Sequence, residues 1–226
     1  YLNTTGNYNT AVGYSALFNN TTGQRNVAVG YQAGYNVTTD TNNVFLGYRS
    51  GYSFNAASGT NTNNTFLGHQ TGYGTTTGLN NTYVGYAAGP NNASTGGDNA
   101  GFGVLALYNL TSGNYNTAIG NYALQNNTTA SESVAIGYQS LYSSNRTSDT
   151  NARNTAIGAR SAYSLSAGAE NVAIGRLAMY SSTSALDNVA VGHEALYSNT
   201  TANAQTAIGY QALYSSNRTA DTTAYN

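Results

Sequence analysis

Asn-Thr-Ala-Ile-Gly stands at Asn116–Gly120 and again, letter for letter, at Asn154–Gly158. Ten variants of this pentapeptide occur along the chain, and each ends in glycine. The spacing of these closing glycines is 17 residues in most units, 18 once and 21 twice. A fixed period of this length predicts a solenoid, in which each unit forms one coil and contacts its neighbours. The closing glycines are Gly13, Gly30, Gly47, Gly68, Gly85, Gly103, Gly120, Gly137, Gly158, Gly175, Gly192 and Gly209.

The residues before each closing glycine predict a strand. The residue directly before it, which we name the pre-glycine column, is large and apolar in every unit. Two residues before it stands the alanine column, which is Ala in eight units and departs from Ala at Phe45, Phe66, Tyr83 and Gly101. The pre-glycine column comprises Val12, Val29, Leu46, Leu67, Val84, Phe102, Ile119, Ile136, Ile157, Ile174, Val191 and Ile208.

This composition favours strands over helices. β-Branched residues, Asn, Thr and Gly recur without a 3.6-residue apolar stripe, which is typical of short strands between turns. Glycine at the end of each strand suits a tight corner or a positive φ. We therefore expect an all-β fold, a parallel β-solenoid (β-roll or β-helix) of about twelve coils of 17–21 residues, each with two or three short sides. Both ends fall inside a repeat, so residues 1–226 are predicted to be one continuous array, a window of a longer fibre protein.

Ten units carry Asn four residues before the closing glycine, and we name this the asparagine column. Like residues of successive coils lie above one another in a solenoid, so this column predicts a hydrogen-bonded ladder. The alternative is that each Asn only starts a turn. The asparagine column comprises Asn9, Asn26, Asn43, Asn64, Asn81, Asn99, Asn116, Asn154, Asn171 and Asn188.

The alanine and pre-glycine columns are adjacent, and successive side chains of a strand point to opposite faces. Both columns are apolar, so both faces of the strand are expected to be covered: one inside the thin coil, the other by another chain. The alternative is that one column lies at a bend or under the chain's own aromatic residues. Five residues after the glycine, Tyr or Phe stands in ten units, which predicts a stacked aromatic ladder.

Composition argues against several kinds of partner. Only 7% of the 226 residues are charged, the net charge is −1, and all seven basic residues are Arg. Nucleic acid requires a basic stripe, so none is expected as a partner. No apolar run approaches the ~18 residues of a membrane span, so no membrane partner is expected for this segment. Without cysteine there is no disulfide or thiolate site.

Catalytic motifs are equally scarce. His69 and His193 directly follow a closing glycine, where Tyr is usual, and are interpreted as substitutions within a column. The acidic residues show no repeated spacing that suggests a carboxylate pair, and neither calcium-binding turns nor a phosphate loop is present. We therefore expect no catalytic, cofactor or metal site, and no enzymatic activity.

Polar turns carry two further patterns. Asn-X-Ser/Thr sequences are candidates for N-glycosylation, although turns built from Asn and Thr also generate them by chance. Thr-Thr pairs recur eight and nine residues after the glycine, as at Thr21-Thr22 and Thr128-Thr129. They would stack into a hydroxyl strip like that of ice-binding solenoids, but the favoured interpretation is that they bond the local backbone. The candidate glycosylation sites are Asn20, Asn36, Asn127, Asn145, Asn199 and Asn217.

The unit at Asn171–Ala178 resembles the head repeat of trimeric autotransporter adhesins, and the stretch beginning at Gln205 is similar to repeats of phage tail-fibre and related surface-fibre proteins. The resemblance covers essentially the whole chain. It implies a left-handed parallel β-roll that assembles as a homotrimer, outside the cell or on a virion.

These observations predict a structural and adhesive β-solenoid segment of an extracellular or virion fibre, which is a fold-level inference. The expected partners are further copies of the chain and a cell-surface or glycan receptor. The alternative is a solenoid that binds ice or a polysaccharide surface through stacked Thr or Tyr ladders.

Overall fold

The computed structural model describes residues 2–57, 61–145 and 151–216. Within them the chain forms twelve strands of three residues each, and no helix. Each strand comprises the three residues before a closing glycine. The strands are β1 (Thr10–Val12), β2 (Val27–Val29), β3 (Val44–Leu46), β4 (Thr65–Leu67), β5 (Thr82–Val84), β6 (Ala100–Phe102), β7 (Thr117–Ile119), β8 (Val134–Ile136), β9 (Thr155–Ile157), β10 (Val172–Ile174), β11 (Val189–Val191) and β12 (Thr206–Ile208).

All twelve strands form one parallel sheet whose spatial order is the chain order, β1 to β12. The register places each column above itself: Ala118 of β7 pairs with Ala135 of β8, and Ile119 pairs with Ile136. The two units of 21 residues keep this register, because β3 still pairs with β4 and β8 with β9 at equivalent positions. The prediction of an all-β parallel solenoid is therefore confirmed.

The sides of the coil differ in regularity. Each turn of the solenoid contributes one strand, and among the described residues a second side is marked by isolated parallel bridges, such as Thr75 with Ser94 and Ala169 with Leu186. The remaining residues form turns whose N–H groups still donate to the neighbouring coil, for example Leu17 N to Ala33 O at 3.0 Å. Hydrogen bonds between coils therefore continue around the turn. The handedness of the coil stays a prediction.

Left-handed backbone makes these tight turns possible. The closing glycines have φ between +124° and +139°. A Cβ on Gly120 would lie 2.6 Å from the carbonyl oxygen of Gly137, so both conformation and close approach require glycine there. Three further positions in each coil have φ near +55°, and many are not glycine, for example Leu124 at +49°. Such conformations are uncommon for side-chain-bearing residues.

The interior is thin and apolar. It contains the alanine column and the residue four positions after the closing glycine, which we name the loop column. Ala118 and Leu124 represent these two columns in one coil, and both are fully buried. The asparagine column lies beside them, and nine of its ten members are at most 2% exposed. The pre-glycine column points outward, to the opposite face of the sheet.

Candidate functional site

The asparagine column forms the predicted ladder. The Oδ1 atom of each Asn accepts the main-chain N–H of the equivalent residue one coil later, as between Asn99 and Asn116 at 2.9 Å. In nine of the ten residues the Nδ2 atom donates to a main-chain carbonyl of the next coil, as from Asn116 to Ala130 O at 2.9 Å. At the one Ser in the series, Ser133 Oγ accepts from Asn154 N at 3.4 Å. Because these amides are buried and fully bonded, they hold the coils together and are not free to bind a ligand.

Aromatic side chains form two stacked rows on the outside of the coil. We name the residues directly after the closing glycine the proximal aromatic column, and those five after it the distal aromatic column. Ring centroids along the proximal column lie 4.9–5.3 Å apart from Tyr14 to Tyr86, with His69 stacked between two tyrosines. The distal column stacks at 5.2–5.4 Å from Phe18 to Tyr73, stops at Pro90, and stacks again from Tyr142 onward.

The described histidines and several acidic residues take part in ring stacking and ion pairs. His193 stacks on Tyr210 at 5.5 Å and lies 3.7 Å from Glu194. Arg153 donates to Glu132 at 3.0 Å and to Glu170 at 3.1 Å, and these contacts raise the pKa of the Arg153 guanidinium. All three members of this ion pair network are well exposed. These three residues stand directly before the asparagine column. Their ion pairs join successive coils, but exposed ion pairs contribute little to stability.

Half of the candidate glycosylation sites are poorly placed. Asn20, Asn127 and Asn199 are at most 2% exposed, and each binds the residue three positions later through its side chain. Attaching a glycan to these buried amides would break the turn, which argues against modification of the folded chain. Asn36 is half-buried and Asn145 is exposed, so both stay predictions. Asn217 lies outside the described residues.

Threonine hydroxyls bond the solenoid itself. Thr21 Oγ1 donates to Thr38 O at 3.2 Å, Thr76 Oγ1 to Ser94 O at 2.8 Å, and Thr183 Oγ1 to Thr200 O at 3.1 Å. In these three cases the Thr hydroxyl donates to the backbone of the neighbouring coil, whereas the favoured interpretation predicted bonds to the local backbone. A free hydroxyl strip is not formed by these atoms.

The outer face of the sheet exposes a column of large apolar side chains. We define it by the pre-glycine column together with the first residue of each strand, which is Thr, Val or Ala. Leu67, Ile119 and Ile174 on this face are 43%, 42% and 36% exposed, although residues of this type are usually buried. The sequence predicted that one of the two adjacent apolar columns is covered by another chain, and the exposure of the pre-glycine column identifies it as the candidate.

Charged residues lie along both edges of the outer face. Among the described residues, every charged side chain except buried Asp40 stands either directly before the asparagine column or within two residues after the closing glycine. No charged residue stands in any strand. An apolar centre with a polar rim is the arrangement found in protein interfaces. These edge residues are Arg25, Asp98, Glu132, Arg153, Glu170 and Asp187 on one side, and Arg49, Arg160, Arg176 and Glu194 on the other.

Sequence reasoning missed one arrangement that the structure shows twice. Arg49 Nε donates to Gln32 Oε1 at 2.9 Å, and its guanidinium carbon lies 5.3–5.9 Å from three tyrosine ring centroids. Arg160 Nε likewise donates to Gln139 Oε1 at 2.9 Å. The signal in the sequence is Tyr-Gln directly after a closing glycine, followed by Arg at the Gln position one coil later.

Other kinds of site are not found in the described ranges. Among residues 2–57, 61–145 and 151–216, no group of three or more His, Cys, Asp or Glu side chains is arranged to hold a metal ion. No helix able to cross a membrane occurs in that part of the chain. Comparison with models of known families, with curated proteins and with solved structures finds no match to the chain.

Proposed function

We propose that this chain is a structural and adhesive segment of an extracellular or virion fibre, and that it works as a homo-oligomer. The observation that carries the proposal is the outer face. An uninterrupted column of Ile, Val, Leu and Phe runs along all twelve strands of a rod whose interior is already filled. Water contact along such a column is unfavourable, so association through this face would supply burial that the thin interior lacks.

The outer face is large enough for a stable interface. Eleven steps between strands at about 4.8 Å give a length of about 50 Å. The strip from the residue before each Asn to each closing glycine, as from Glu132 to Gly137, contains the outer face and the edge beside it, and is about 16 Å wide. The resulting area of about 850 Å² per chain is close to the ~800 Å² per partner of a standard interface.

The regularity of the face favours a second copy of the chain as its occupant. Apolar side chains repeat once per coil along the rod, at the spacing of neighbouring parallel strands. A partner must present apolar groups at the same spacing to remain in contact over the whole length. Another copy of this solenoid has the same spacing, because it has the same coils. Symmetric homo-oligomers commonly form through one surface that is identical on each copy.

Two neighbouring residues of β9 provide the test. Ala156 is fully buried, whereas Ile157 is 36% exposed on the outer face. We expect the wild-type chain to have a mass of several chains by light scattering. Ile157→Asp should lower the mass to that of one chain and leave the circular dichroism spectrum unchanged, because the charge stays in water. Ala156→Asp should destabilise the coil itself, because its charge would be buried without a partner.

The matched control is Leu186→Asp. Leu186 is half-buried on a different side of the coil, in the segment that bridges to Ala169. It places the same charge on the rod without touching the outer face, so the mass of the assembly should be unchanged. A wild-type chain that remains a monomer at all concentrations would contradict the proposed homo-oligomer. Equal loss of mass in Leu186→Asp and Ile157→Asp would show that the outer face is not the interface.

A further inference from the structure

We propose that Arg49 and Arg160 form two copies of one site that binds the carboxylates of an acidic polysaccharide. This inference rests on the adhesive part of the proposed function and names its ligand class. In both copies the Arg follows the closing glycine by two residues and donates Nε to a Gln at the same position of the preceding coil, at 2.9 Å. In both copies the guanidinium carbon also lies over a tyrosine ring of that coil, 5.9 Å from Tyr31 and 5.8 Å from Tyr138.

The site is held ready for an anion. Nε is occupied by Gln, and the guanidinium face is held against aromatic rings, a favourable cation–π contact. Within the described residues, the terminal nitrogens of Arg49 and Arg160 make no hydrogen bond, and neither residue has an ion pair. These nitrogens are a planar fork of donors, which matches a carboxylate in two parallel hydrogen bonds.

The other arginines differ in this respect. Arg153 is already paired with two carboxylates. Arg176 Nη1 lies 2.7 Å from His193 Nε2. Arg25 stands on the opposite edge of the outer face, without the Gln and tyrosine contacts. The Gln–Arg–Tyr arrangement therefore distinguishes Arg49 and Arg160 from a generally basic surface.

The surroundings of both sites suit a sugar. Arg49 lies between the two aromatic columns, near Tyr48 and Tyr52, at 5.3 and 5.4 Å from their ring centroids. The guanidinium carbon of Arg160 lies 5.8 Å from the Tyr138 ring centroid, and its charge offsets part of the rise that burial causes in the pKa of Tyr163. Tyrosines offer apolar surface and a hydroxyl together, as sugars require. The tyrosine rings recur once per coil, 5.2–5.3 Å apart, so an extended polymer lying along the column would meet one ring in each coil.

The distance between the two sites favours a polymer as the ligand. The two sites follow β3 and β9, six steps of the sheet apart, which is about 29 Å. A polymer that reaches both sites would gain from effective concentration, so its affinity should rise steeply once it exceeds that length.

The test measures binding of oligogalacturonates of increasing length by titration calorimetry. We expect binding that strengthens sharply when the oligomer is long enough to span both sites. Arg49→Gln and Arg160→Gln should each weaken binding about tenfold, as expected for losing a charged hydrogen-bond pair. Arg49→Lys should weaken it similarly, because Lys keeps the charge but not the fork or the ring contact. Arg25→Gln is the matched control and should bind like wild type.

Three results would overturn the proposal: no binding of any oligogalacturonate, equal binding of the uncharged methyl ester, or an equal loss in Arg25→Gln. Binding of monomeric galacturonate and of acetate distinguishes a free small carboxylate from a carboxylate that belongs to a polymer. If either binds as tightly as the long oligomer, the site holds a free anion and not a polymer. Light scattering of the same variants measures their assembly independently of binding. A protein that assembles but does not bind the oligomers would contradict the present inference and leave the proposed homo-oligomer standing.

Discussion

Two blocks of coils fill the same narrow interior from opposite sides. In the aromatic block, around β3 to β5, the large side chain stands in the strand and the loop column is glycine. In the aliphatic block, the strand holds Ala and the loop column holds Leu. The aromatic block pairs Phe45 with Gly51, Phe66 with Gly72 and Tyr83 with Gly89; the aliphatic block pairs Ala118 with Leu124, Ala135 with Leu141 and Ala190 with Leu196.

The comparison shows why the loop column of the aromatic block contains glycine. Leu124 has φ of +49° and Gly51 has φ of +61°, so a residue with a side chain adopts nearly the same backbone in the aliphatic block. A Cβ on Gly51 would instead lie 2.4 Å from the Phe45 ring. Glycine is therefore required there chiefly by space. The interior conserves total volume, because a close-packed core tolerates neither gaps nor excess.

Phe45→Ala should produce the largest effect. Phe45 is fully buried, with its ring centroid 5.5 Å from that of Phe66 and 5.9 Å from that of Phe54. Its removal leaves a cavity that Gly51 cannot fill, and should lower the free energy of unfolding by about 3–5 kcal/mol. Guanidinium denaturation followed by circular dichroism measures this change. A loss below about 1 kcal/mol would contradict the packing described for this block.

Gly51→Leu should be the next largest. Leu124 adopts a similar backbone, although it is strained for any residue with a side chain, and at position 51 the Leu side chain would also overlap the Phe45 ring. Overpacking of this kind should lower the free energy of unfolding by about 3 kcal/mol. The same denaturation experiment applies. Leu124→Ala in the aliphatic block is the useful reference, because it removes a loop-column side chain without creating any clash.

The double variant Phe45→Ala/Gly51→Leu sharpens the comparison. It recreates the Ala–Leu pair of the aliphatic block inside the aromatic one. We expect a stability within about 1.5 kcal/mol of wild type, which makes the two substitutions strongly non-additive. The remaining loss reflects the contacts of Phe45 with Phe54 and Phe66. Simple addition of the two single effects would show that the blocks are not alternative solutions of one packing problem.

Tyr83→Phe should have the smallest effect at neutral pH. The Tyr83 hydroxyl is fully buried and makes no hydrogen bond in the structure, so its removal should change stability by less than about 1 kcal/mol. Burial raises the pKa of Tyr83 above its usual value of about 10. The folded chain therefore loses stability as pH rises above 10, where the unfolded chain ionises. Tyr83→Phe should reduce this alkaline loss, which thermal melts between pH 8 and pH 11 measure.

Much of this architecture can be predicted from the sequence because equivalent residues of successive coils lie above one another. The spacing of the closing glycines is enough to predict the parallel register, and the buried asparagine ladder follows from the same period. The exchange between Phe45 and Gly51 is visible in the sequence, but only contact distances show that the two positions share one space. Left-handed backbone at Leu124 has no such signal, because Leu rarely adopts it.

The candidate sites were less accessible to sequence reasoning. The sequence predicted that both apolar columns of each strand are covered. In the single chain Ile157 of the pre-glycine column is exposed, and the chain that would cover it stays a prediction. Arg49 and Gln32 stand 17 residues apart, and only the structure shows that Arg49 Nε reaches Gln32 Oε1. Residue type alone could not distinguish these arginines from Arg153.

Imaging the assembly in cross-section by electron cryomicroscopy tests the central claim most directly. The account predicts two or more solenoids in each cross-section, with Ile119, Ile157 and Ile174 of each facing a neighbouring chain. A single isolated solenoid, or an assembly in which these residues face solvent, would contradict it.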